Sequence, residues 1–348
     1  MSFQNIQPKA AWLTVNQACN FRCQWCYIQD TKYQNNNEMS FELAVTLAKI
    51  SAEIGISNII IIGGEPTLWQ PLVSFNKFCR ELGIKTSLVT NGFMFSNDEF
   101  FENYQKQPND GLGVSLKAGN SYQLLKIAKF RDFEGLTKGM RRIFQNYSNA
   151  SISITLNSFY LKNFPQLVKL AVECGSKTVK IDFCSPIFKN GKPVNKYIID
   201  PLKLVSFVFS LYPELDKITH GNLVFEMNLP FCLWPEGFIN LLKMKHQIIS
   251  VCQMLKQEGI IFGPDGRVQM CNALFDFPIG YWNKDFNDGR SLINFLNREK
   301  VVNYYEGMRR YPLEKCQDCE WYLECGGGCP LRWLIWDPKK LILRERRL

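Results

Sequence analysis

The stretch Cys19-Asn20-Phe21-Arg22-Cys23-Gln24-Trp25-Cys26-Tyr27 contains three cysteines in the spacing C-x3-C-x2-C. Three thiolates on one short loop can bind three irons of a cubane iron–sulfur cluster and leave the fourth iron without a protein ligand. An open metal position binds a substrate or cofactor, whereas a structural site is closed by four protein ligands. The spacing therefore predicts that Cys19, Cys23 and Cys26 hold a cluster that takes part in chemistry.

A zinc knuckle and a disulfide framework are the alternatives for this loop. Zinc needs four ligands, and the two histidines of the chain, His220 and His246, are far away in sequence. Disulfide frameworks belong to small secreted domains, and residues 1–9 lack the apolar segment of a signal peptide. No run approaches the roughly 18 apolar residues of a membrane span. We therefore expect a cytoplasmic protein with reduced thiols and no membrane contact.

The composition limits the size of the core and the kind of partner. The chain has 348 residues, of which 46% are hydrophobic, enough for one large or two modest cores. Its formal net charge of +9 indicates an acidic partner, such as an acidic peptide or a nucleic acid. Dispersed charge is typical of a solvated surface, so we expect no nucleic-acid partner. The basic residues that do cluster lie at the end of the sequence: Lys339, Lys340, Arg344, Arg346 and Arg347.

Strand and helix patterns alternate from residue 10 to about residue 184. The strands are short, apolar and β-branched, as buried parallel strands are. Six βα units in sequence predict a parallel, right-handed sheet of the α/β class, in the form of a partial (β/α)6 barrel. A doubly wound sheet agrees with the same periodicity. The candidate strands are 12–16, 58–62, 85–90, 113–117, 151–156 and 178–183, and the candidate helices are 41–54, 72–82, 98–105, 122–145 with a break, and 164–174.

Polar motifs follow the ends of these strands, where chemistry gathers in barrel-like α/β folds. The cysteine loop follows the first strand, and Gly63-Gly64-Glu65-Pro66 follows the second. Paired glycines let the backbone approach a ligand closely, and the carboxylate beside them can accept hydrogen bonds from an ammonium group.

The cysteine loop, with an aromatic residue before its last cysteine, resembles the signature of radical SAM enzymes, and the Gly-Gly-Glu-Pro turn one strand later resembles their GGEP motif. The resemblance implies that the bare iron of a 4Fe–4S cluster binds S-adenosylmethionine (SAM), and that an electron from the cluster cleaves SAM to a 5′-deoxyadenosyl radical. It also implies that the GGEP turn binds the methionine amine. The residues expected at the SAM site are Trp25, Tyr27, Gly63, Gly64, Glu65, Pro66, Asn91, Ser115 and Asn157.

Three residues are candidates for catalytic roles. Lys117 ends Ser115-Leu116-Lys117, where many radical SAM enzymes have Ser-Leu-Asp, and it is expected to contact the SAM carboxylate, to hold an acidic substrate, or to point to solvent. Asp182, in the sixth strand, is expected to face the cavity or to cap a turn. Cys232 is expected to be a spare metal ligand, a hydrogen-atom donor or a buried apolar residue.

A second group of cysteines follows residue 250, in the spacing C-x13-G-x4-C and then C-x2-C-x5-C-x3-C. A zinc ribbon is one alternative, because C-x2-C pairs commonly bind zinc. A loop with four cysteines in fourteen residues has little core of its own, so we expect metal to hold it together. The whole pattern resembles the SPASM extension of radical SAM enzymes, which carries one or two auxiliary iron–sulfur clusters. The resemblance implies one cluster on Cys252, Cys271 and Cys329 and another on Cys316, Cys319 and Cys325.

The resemblance covers roughly residues 10–185 and 250–335 and implies a domain order. We expect a radical SAM partial barrel at 1–190, a bridging region of mixed helix and loop at 191–250, and an irregular SPASM domain at 251–348. Residues 330–348 contain no further cysteine, although SPASM proteins usually have one there. The lone cysteines Cys79, Cys174 and Cys184 lie in apolar patterns and are expected in the core.

SPASM-bearing relatives commonly modify peptides, so the resemblance implies a maturase that crosslinks, epimerises or excises backbone from a ribosomally synthesised precursor peptide. An electron donor such as flavodoxin or ferredoxin is implied as a partner. Because only eighteen residues precede Cys19, we expect a separate leader-recognition protein or direct binding of the peptide. The alternatives are a sulfatase-maturating enzyme that forms formylglycine, a small-molecule radical SAM dehydrogenase, and a non-enzymatic iron–sulfur or zinc protein.

Overall fold

The computed structural model describes residues 6–28, 37–189, 191–194 and 196–342. The strands are β1 (Ala10–Thr14), β2 (Asn58–Ile62), β3 (Lys85–Thr90), β4 (Gly111–Ser115), β5 (Ala150–Leu156), β6 (Val179–Phe183), β7 (Ile187–Lys189), β8 (Lys192–Val194), β9 (Leu223–Met227), β10 (Ile248–Ser250), β11 (Gly259–Phe262), β12 (Arg267–Gln269) and β13 (Gly280–Tyr281). The helices are α1 (Phe41–Glu53), α2 (Leu72–Glu81), α3 (Asp98–Gln105), α4 (Ser121–Ala128), α5 (Phe133–Asn146), α6 (Phe164–Glu173), α7 (Pro201–Ile218), α8 (Phe238–Met244), α9 (Gly289–Leu296), α10 (Glu299–Arg309), α11 (Tyr322–Cys325) and α12 (Pro338–Ile342).

One sheet carries eleven of these strands, in the order β10-β9-β6-β5-β4-β3-β2-β1-β11-β12-β13. All neighbours from β10 to β11 are parallel, and β12 and β13 add an antiparallel edge. The strands β1 to β6 lie side by side in chain order, with helices between them, as right-handed βα units do. The expected α/β partial barrel is confirmed.

The two faces of the sheet differ in polarity. On β5 and β6, Ile152, Ile154 and Ile181 are fully buried under the helices. Their neighbours alternate to the other face, where Thr155 and Asp182 are only half-buried. A closed barrel fills its interior with side chains, but this open sheet leaves its inner face polar and accessible. The inner face is therefore the surface on which a substrate can lie.

The structure differs from the sequence-based expectation between residues 200 and 250. This region was expected to be mixed helix and loop, but after α7 it adds β9 and β10 to the edge of the sheet beside β6. These strands have five and three residues, which is too short for a clear period-two signal. At the other edge, β11 pairs with β1, so the cysteine-rich region is joined directly to the sheet. The fourth strand also begins and ends two residues earlier than expected.

The three lone cysteines Cys79, Cys174 and Cys184 are 0%, 3% and 5% exposed, so their prediction as core residues is confirmed.

Of the basic residues near the end of the sequence, Arg344, Arg346 and Arg347 lie outside the described residues. Within the described ranges, no helix combines the length and apolar character that crossing a membrane requires.

Helix α5 packs closely against the turn after β3, and Gly139 makes this approach possible. A methyl group on Gly139 would stand 2.3 Å from the carbonyl oxygen of Gly92 and 3.1 Å from the nitrogen of Ser96. Both are backbone atoms that cannot move aside without shifting the turn. We expect Gly139→Ala to lower the free energy of unfolding by about 1–3 kcal/mol, as overpacking does.

Gly307 in α10 is the matched control, because no atom lies within 4 Å of the position that its methyl group would take. Gly307→Ala is expected to raise the free energy of unfolding by up to about 1 kcal/mol, since alanine favours a helix over glycine. Urea unfolding measures both variants. Equal effects would contradict the close packing at Gly139.

Candidate active site

The loop after β1 is held in place by the turn after β2. The amide of Gly64 donates to the carbonyl of Asn16 at 2.8 Å, and that of Glu65 donates to Ala18 at 2.8 Å. A Cβ atom on Gly63 would lie 2.4 Å from Asn16 Oδ1, and one on Gly64 would lie 2.3 Å from the Gln17 carbonyl. The paired glycines therefore let the second turn pack on the backbone that leads into the cysteine loop.

The other side of the cysteine loop rests on the C-terminal end of α4. The amide of Arg22 donates to the carbonyl of Ala128 at 2.7 Å, and that of Gln24 donates to Ile127 at 3.2 Å. The last carbonyls of a helix have no partner within the helix, so they are free to accept these bonds. Trp25 is buried with its ring edge-on to Tyr160, at a centroid distance of 5.6 Å.

Cys19, Cys23 and Cys26 are half-buried in this loop, and the thiols of Cys23 and Cys26 are near enough to act on that of Cys19. Burial and then the charge of Glu65 raise the pKa of Cys19 to about 12, and Cys23 and Cys26 add to the increase. The amide of Phe21 donates to Cys19 Sγ at 3.3 Å and acts in the opposite direction. Because a metal ligand must be a thiolate, a cation at this point stabilises a form that the surroundings otherwise disfavour.

Glu65 is almost completely buried, and its carboxylate links the ends of two strands. Oε1 accepts from the amide and hydroxyl of Thr67, at 3.1 and 2.7 Å, and from the hydroxyl of Thr90 at 2.6 Å. Oε2 accepts from the amide of Asn91 at 2.7 Å. Burial raises the pKa of Glu65, and these four hydrogen bonds oppose the increase. The carboxylate is thus held by four donors within the protein, three on Oε1 and one on Oε2.

Asn91 connects this network to the cysteine loop. Its Nδ2 donates to Asn20 Oδ1 at 2.7 Å, and its Oδ1 accepts from the amide of Phe93 at 3.0 Å. Asn20 Nδ2 is buried and has no hydrogen-bond partner within the described residues. A buried donor without a partner is costly, so Asn20 marks a position at which a bound group would supply an acceptor.

Lys117 lies just past the end of β4, among the groups of the inner face. Its ammonium lowers the pKa values of Cys23, Asp182 and Cys184, although burial leaves all three raised. Its carbonyl accepts a hydrogen bond from the buried Tyr160 hydroxyl. Lys117 and Asp182 are therefore brought together beside the cysteine loop.

Asp182 belongs to a polar group that spans three strands. The Thr155 hydroxyl donates to Asp182 Oδ2 at 3.1 Å, whereas Oδ1 is buried and has no hydrogen-bond partner among the described residues. Asp182 lies opposite Glu226 in the register of β6 and β9. Partial burial and then Asp182 raise the pKa of Glu226. Ser115 ends β4 and is also half-buried.

Three other residues were predicted at the SAM site: Asn157, Pro66 and Tyr27. Asn157 is fully buried and caps a turn: its Oδ1 accepts from the amide of Phe159 at 2.9 Å and its Nδ2 donates to the Thr155 carbonyl at 3.1 Å. Pro66 is buried at the start of the short 3-10 helix after Glu65. Burial, followed by the thiols of Cys26, Cys271 and Cys19, raises the pKa of Tyr27.

The later cysteines form two sets. Burial and then the thiols of Cys252 and Cys329 raise the pKa of Cys271 to about 12. Cys316, Cys319 and Cys325 form the other set. Within the described chain, no three His, Cys, Asp or Glu side chains lie close enough to bind one metal ion. A cluster has one thiolate per iron, so its ligands lie further apart than those of a single ion, and the thiols of each set suit this arrangement.

Residues 13–180 match the model of the Radical SAM superfamily. This span runs from β1 into β6 and includes the cysteine loop, the GGEP turn and the polar ends of the strands. This chain carries a radical SAM domain. Proteins with this domain are enzymes that bind SAM at a 4Fe–4S cluster, and the three thiols of the first loop suit that cluster.

Two solved structures are similar to this radical SAM enzyme along most of its length. Streptococcus suis SuiB bound to precursor peptide SuiA aligns with a TM-score of 0.71 and 19% identity, over 94% of this chain and 73% of that chain. Native anSMEcpe with bound AdoMet aligns with a TM-score of 0.67 and 17% identity, over 92% of this chain and 89% of that chain. At these identities the likeness establishes the fold.

Curated relatives resemble the radical SAM domain in sequence. A probable GTP 3′,8-cyclase of Methanocaldococcus jannaschii is 25% identical over 173 residues, or 49% of this chain and 57% of the relative. An Fe-coproporphyrin III synthase of Methanosarcina barkeri is 24% identical over 196 residues, or 55% of this chain and 47% of the relative. The radical SAM enzyme thus spans about half the length of these relatives.

Sequence reasoning missed Asn20, Tyr160 and Glu226. Asn20 lies inside the cysteine loop, and its position was the only signal available. Glu226 is the one polar residue of Leu223–Met227, a strand too short for the sequence pattern to indicate. Tyr160 follows the fifth strand, and only the fold brings it to Trp25 and Lys117.

The buried carboxylate of Glu65 gives a pH-dependent contribution to stability. Because burial raises its pKa, the folded protein binds this proton more tightly than the unfolded chain does. The stabilising contribution of Glu65 is complete below its pKa in the unfolded chain, about 4.3. It is lost as the pH rises through its pKa in the folded protein. In Glu65→Gln, which cannot titrate, this part of the pH dependence should disappear.

Urea unfolding of metal-free protein, repeated from about pH 4 to about pH 7, measures the difference between wild type and variant. Glu42→Gln, at an exposed glutamate of α1, is the control and should leave the pH dependence unchanged. A Glu65→Gln curve parallel to that of the wild type would contradict the raised pKa.

Proposed function

We propose that this chain is a radical SAM peptide maturase. In this proposal the cluster on Cys19, Cys23 and Cys26 cleaves SAM to a 5′-deoxyadenosyl radical, which abstracts a hydrogen atom from a ribosomally synthesised precursor peptide. The modification is a crosslink, an epimerisation or a backbone excision.

The observation that carries the proposal is the position of the C-terminal cysteine region at both edges of the open sheet. Through β11 this region joins β1, and Cys329 donates its amide to the Asn228 carbonyl, after β9, at 2.9 Å. Burial and then the thiols of Cys26, Cys271 and Cys19 raise the pKa of Tyr27, so the two cysteine regions meet beside the inner face. The likeness to SuiB with its precursor peptide extends over both regions and supports a peptide as substrate.

Residues of the chain have separate tasks in this proposal. In this proposal the main-chain carbonyls of Gly63 and Gly64 bind the methionine amine, next to the Glu65 carboxylate. Asn20, Asn91 and Ser115 hold the rest of SAM, and Trp25 packs behind the loop. A cavity of about 260 Å³ is lined by Trp25, Cys184 and Tyr197. In this proposal it gives access to the cysteine loop.

Lys117, Asp182 and Glu226 contact the substrate in this proposal. Their charges are close together on the inner face, where water is partly excluded and electrostatic interactions are stronger than in solution. They orient the target carbon of the peptide beside the radical rather than take part in SAM cleavage.

The proposed partners follow from the charge and from the redox chemistry. The formal net charge of +9 suits an acidic leader segment of the peptide. A flavodoxin or ferredoxin supplies the electron, and a separate leader-recognition protein assists the binding of the peptide. The auxiliary clusters on the later cysteines accept the surplus electron or bind the peptide, and the protein works in the cytoplasm.

A small-molecule substrate is the second candidate, because the curated relatives that match the radical SAM domain are named for GTP and for Fe-coproporphyrin III. The two candidates are separated by co-expression with short open reading frames that neighbour the gene, followed by mass spectrometry of the peptides. A mass change in one peptide supports the maturase. Unchanged peptides throughout would favour the small molecule.

Replacing Cys19, Cys23 and Cys26 together by alanine should abolish SAM cleavage, because the iron that binds SAM is lost. The measurement is the release of 5′-deoxyadenosine by anaerobically reconstituted protein in the presence of dithionite. Cys174→Ala, at a buried cysteine of the core, is the control and should retain the activity. Release of 5′-deoxyadenosine by the triple variant would refute the assignment of the active site.

Asp182→Asn should separate SAM cleavage from substrate modification. We expect modification of the co-expressed peptide to fall at least roughly 10-fold, equivalent to about 1.4 kcal/mol of transition-state stabilisation, while 5′-deoxyadenosine is still released. Asp200→Asn, which changes only the cap of α7, is the control. Equal losses of both activities would place Asp182 at the SAM site instead.

A further inference from the structure

The segment 228–232, which follows β9, lies along the loop that carries Cys325 and Cys329. Besides the bond from Cys329 to Asn228, the amide of Phe231 donates to Cys325 Sγ at 3.3 Å. A Cβ atom on Gly328 would stand 2.8 Å from the Asn228 carbonyl and 3.0 Å from Pro230 Cδ. The backbones therefore touch along their length, and the glycine is needed for this approach.

Side chains fix the same contact on the other side of Cys325. The ring of Phe231 packs edge-on against Trp321, with centroids 6.2 Å apart. Lys243 covers the Trp321 ring at 4.5 Å and forms an ion pair with Glu324. Phe231, the neighbour of Cys232, is thus attached to the region around Cys325 through both its amide and its ring.

Cys232 lies near the other thiols of this loop, because the amide of its neighbour Phe231 donates to Cys325 Sγ. Partial burial and then the thiols of Cys325, Cys316 and Cys319 raise the pKa of Cys232 to about 11. Cys232 is nevertheless exposed as a residue, so it is not the buried apolar side chain that was one of the expectations. Thiols from two distant parts of the sequence are thus near enough to influence one another.

We propose that Cys232 is the fourth thiolate ligand of an iron–sulfur cluster held by Cys316, Cys319 and Cys325. A cubane cluster takes one thiolate for each of its four irons, and these four thiols supply that number. The amide of Phe231 that donates to Cys325 Sγ is the kind of hydrogen bond that tunes a ligating sulfur. The proposal rests on the auxiliary clusters of the proposed function but not on its peptide substrate.

A cluster with four thiolates has no open iron, which limits its role. It joins the segment after β9 to the C-terminal loop, and it can pass electrons, but it cannot bind a substrate. Among the described residues, the set of Cys252, Cys271 and Cys329 then remains with three thiolates. In that set, Cys271 lies near Tyr27 and contributes to its raised pKa. Burial raises the pKa of Cys252, and Glu226 adds to this increase.

Alkylation of the anaerobically reconstituted protein, followed by mass spectrometry of each cysteine, tests the proposal. Ligation should slow iodoacetamide labelling of Cys232 at least roughly 10-fold relative to protein stripped with a chelator, because a thiolate bound to iron is a poor nucleophile. Cys319, which is likewise exposed, is the internal reference for a ligand. Rapid labelling of Cys232 while Cys319 is protected would overturn the proposal, and so would rapid labelling of both.

Cys232→Ala separates ligation from simple shielding by a nearby cluster. We expect the variant to lose roughly four irons per chain if the whole cluster is lost. If only one iron is lost, mild oxidation should give a three-iron electron paramagnetic resonance signal that is stronger than in the wild type. Cys174→Ala should match the wild type in both measurements. Wild-type iron content and spectrum in Cys232→Ala would overturn the proposal, as would one zinc per chain at these cysteines.

These readouts do not depend on catalysis. One possible result is that Cys232→Ala loses a cluster while the wild-type protein neither cleaves SAM nor modifies a peptide. This result would refute the proposed function and leave the ligand assignment intact. Conversely, a working maturase with an unprotected Cys232 would refute only the ligand assignment.

Discussion

The buried carboxylate of Glu65 is the interaction on which the active-site end of the sheet depends. It follows β2, it binds Thr90 and Asn91 at the end of β3, and its amide donates to Ala18 in the loop after β1. One residue therefore sets the relative positions of three strand ends. A buried carboxylate needs hydrogen-bond donors around it, and four donors hold Glu65. The same bonds place Asn91 against Asn20 in the cysteine loop.

The polar inner face follows from a sheet that does not close. Helices cover the outer face and take up the apolar side chains, so the inner residues are free to be polar. Asp182 and Glu226 lie opposite each other there, with Lys117 and Lys180 among their charged neighbours. Two carboxylates side by side are unfavourable without a cation nearby. Lys117 and Lys180 supply this positive charge beside Asp182 and Glu226.

The loop that carries Cys316, Cys319, Cys325 and Cys329 is held against the sheet by polar contacts around Arg332. Arg332, which follows Cys329 by three residues, is fully buried and donates to the Cys184 carbonyl at 2.7 Å and to Asn228 Oδ1 at 3.2 Å. The glycines at 326–328 all have positive φ, so the chain turns sharply between Cys325 and Cys329 and separates their thiols into different sets. Metal bound at these thiols would add to the stability of a region that has few apolar residues of its own.

The sequence by itself determined the cysteine spacing, the alternation of strands and helices, and the placement of polar motifs at strand ends. These are local properties, because ligand spacing and periodicity are read within a few residues. It therefore predicted the radical SAM domain, the α/β partial barrel and the core positions of Cys79, Cys174 and Cys184. Only the tertiary structure decided the direction of the Glu65 carboxylate, the pairing of Asp182 with Glu226, and the meeting of Cys232 with Cys316, Cys319 and Cys325. Each of these depends on strand register or on contacts between residues far apart in the chain, which no local pattern encodes.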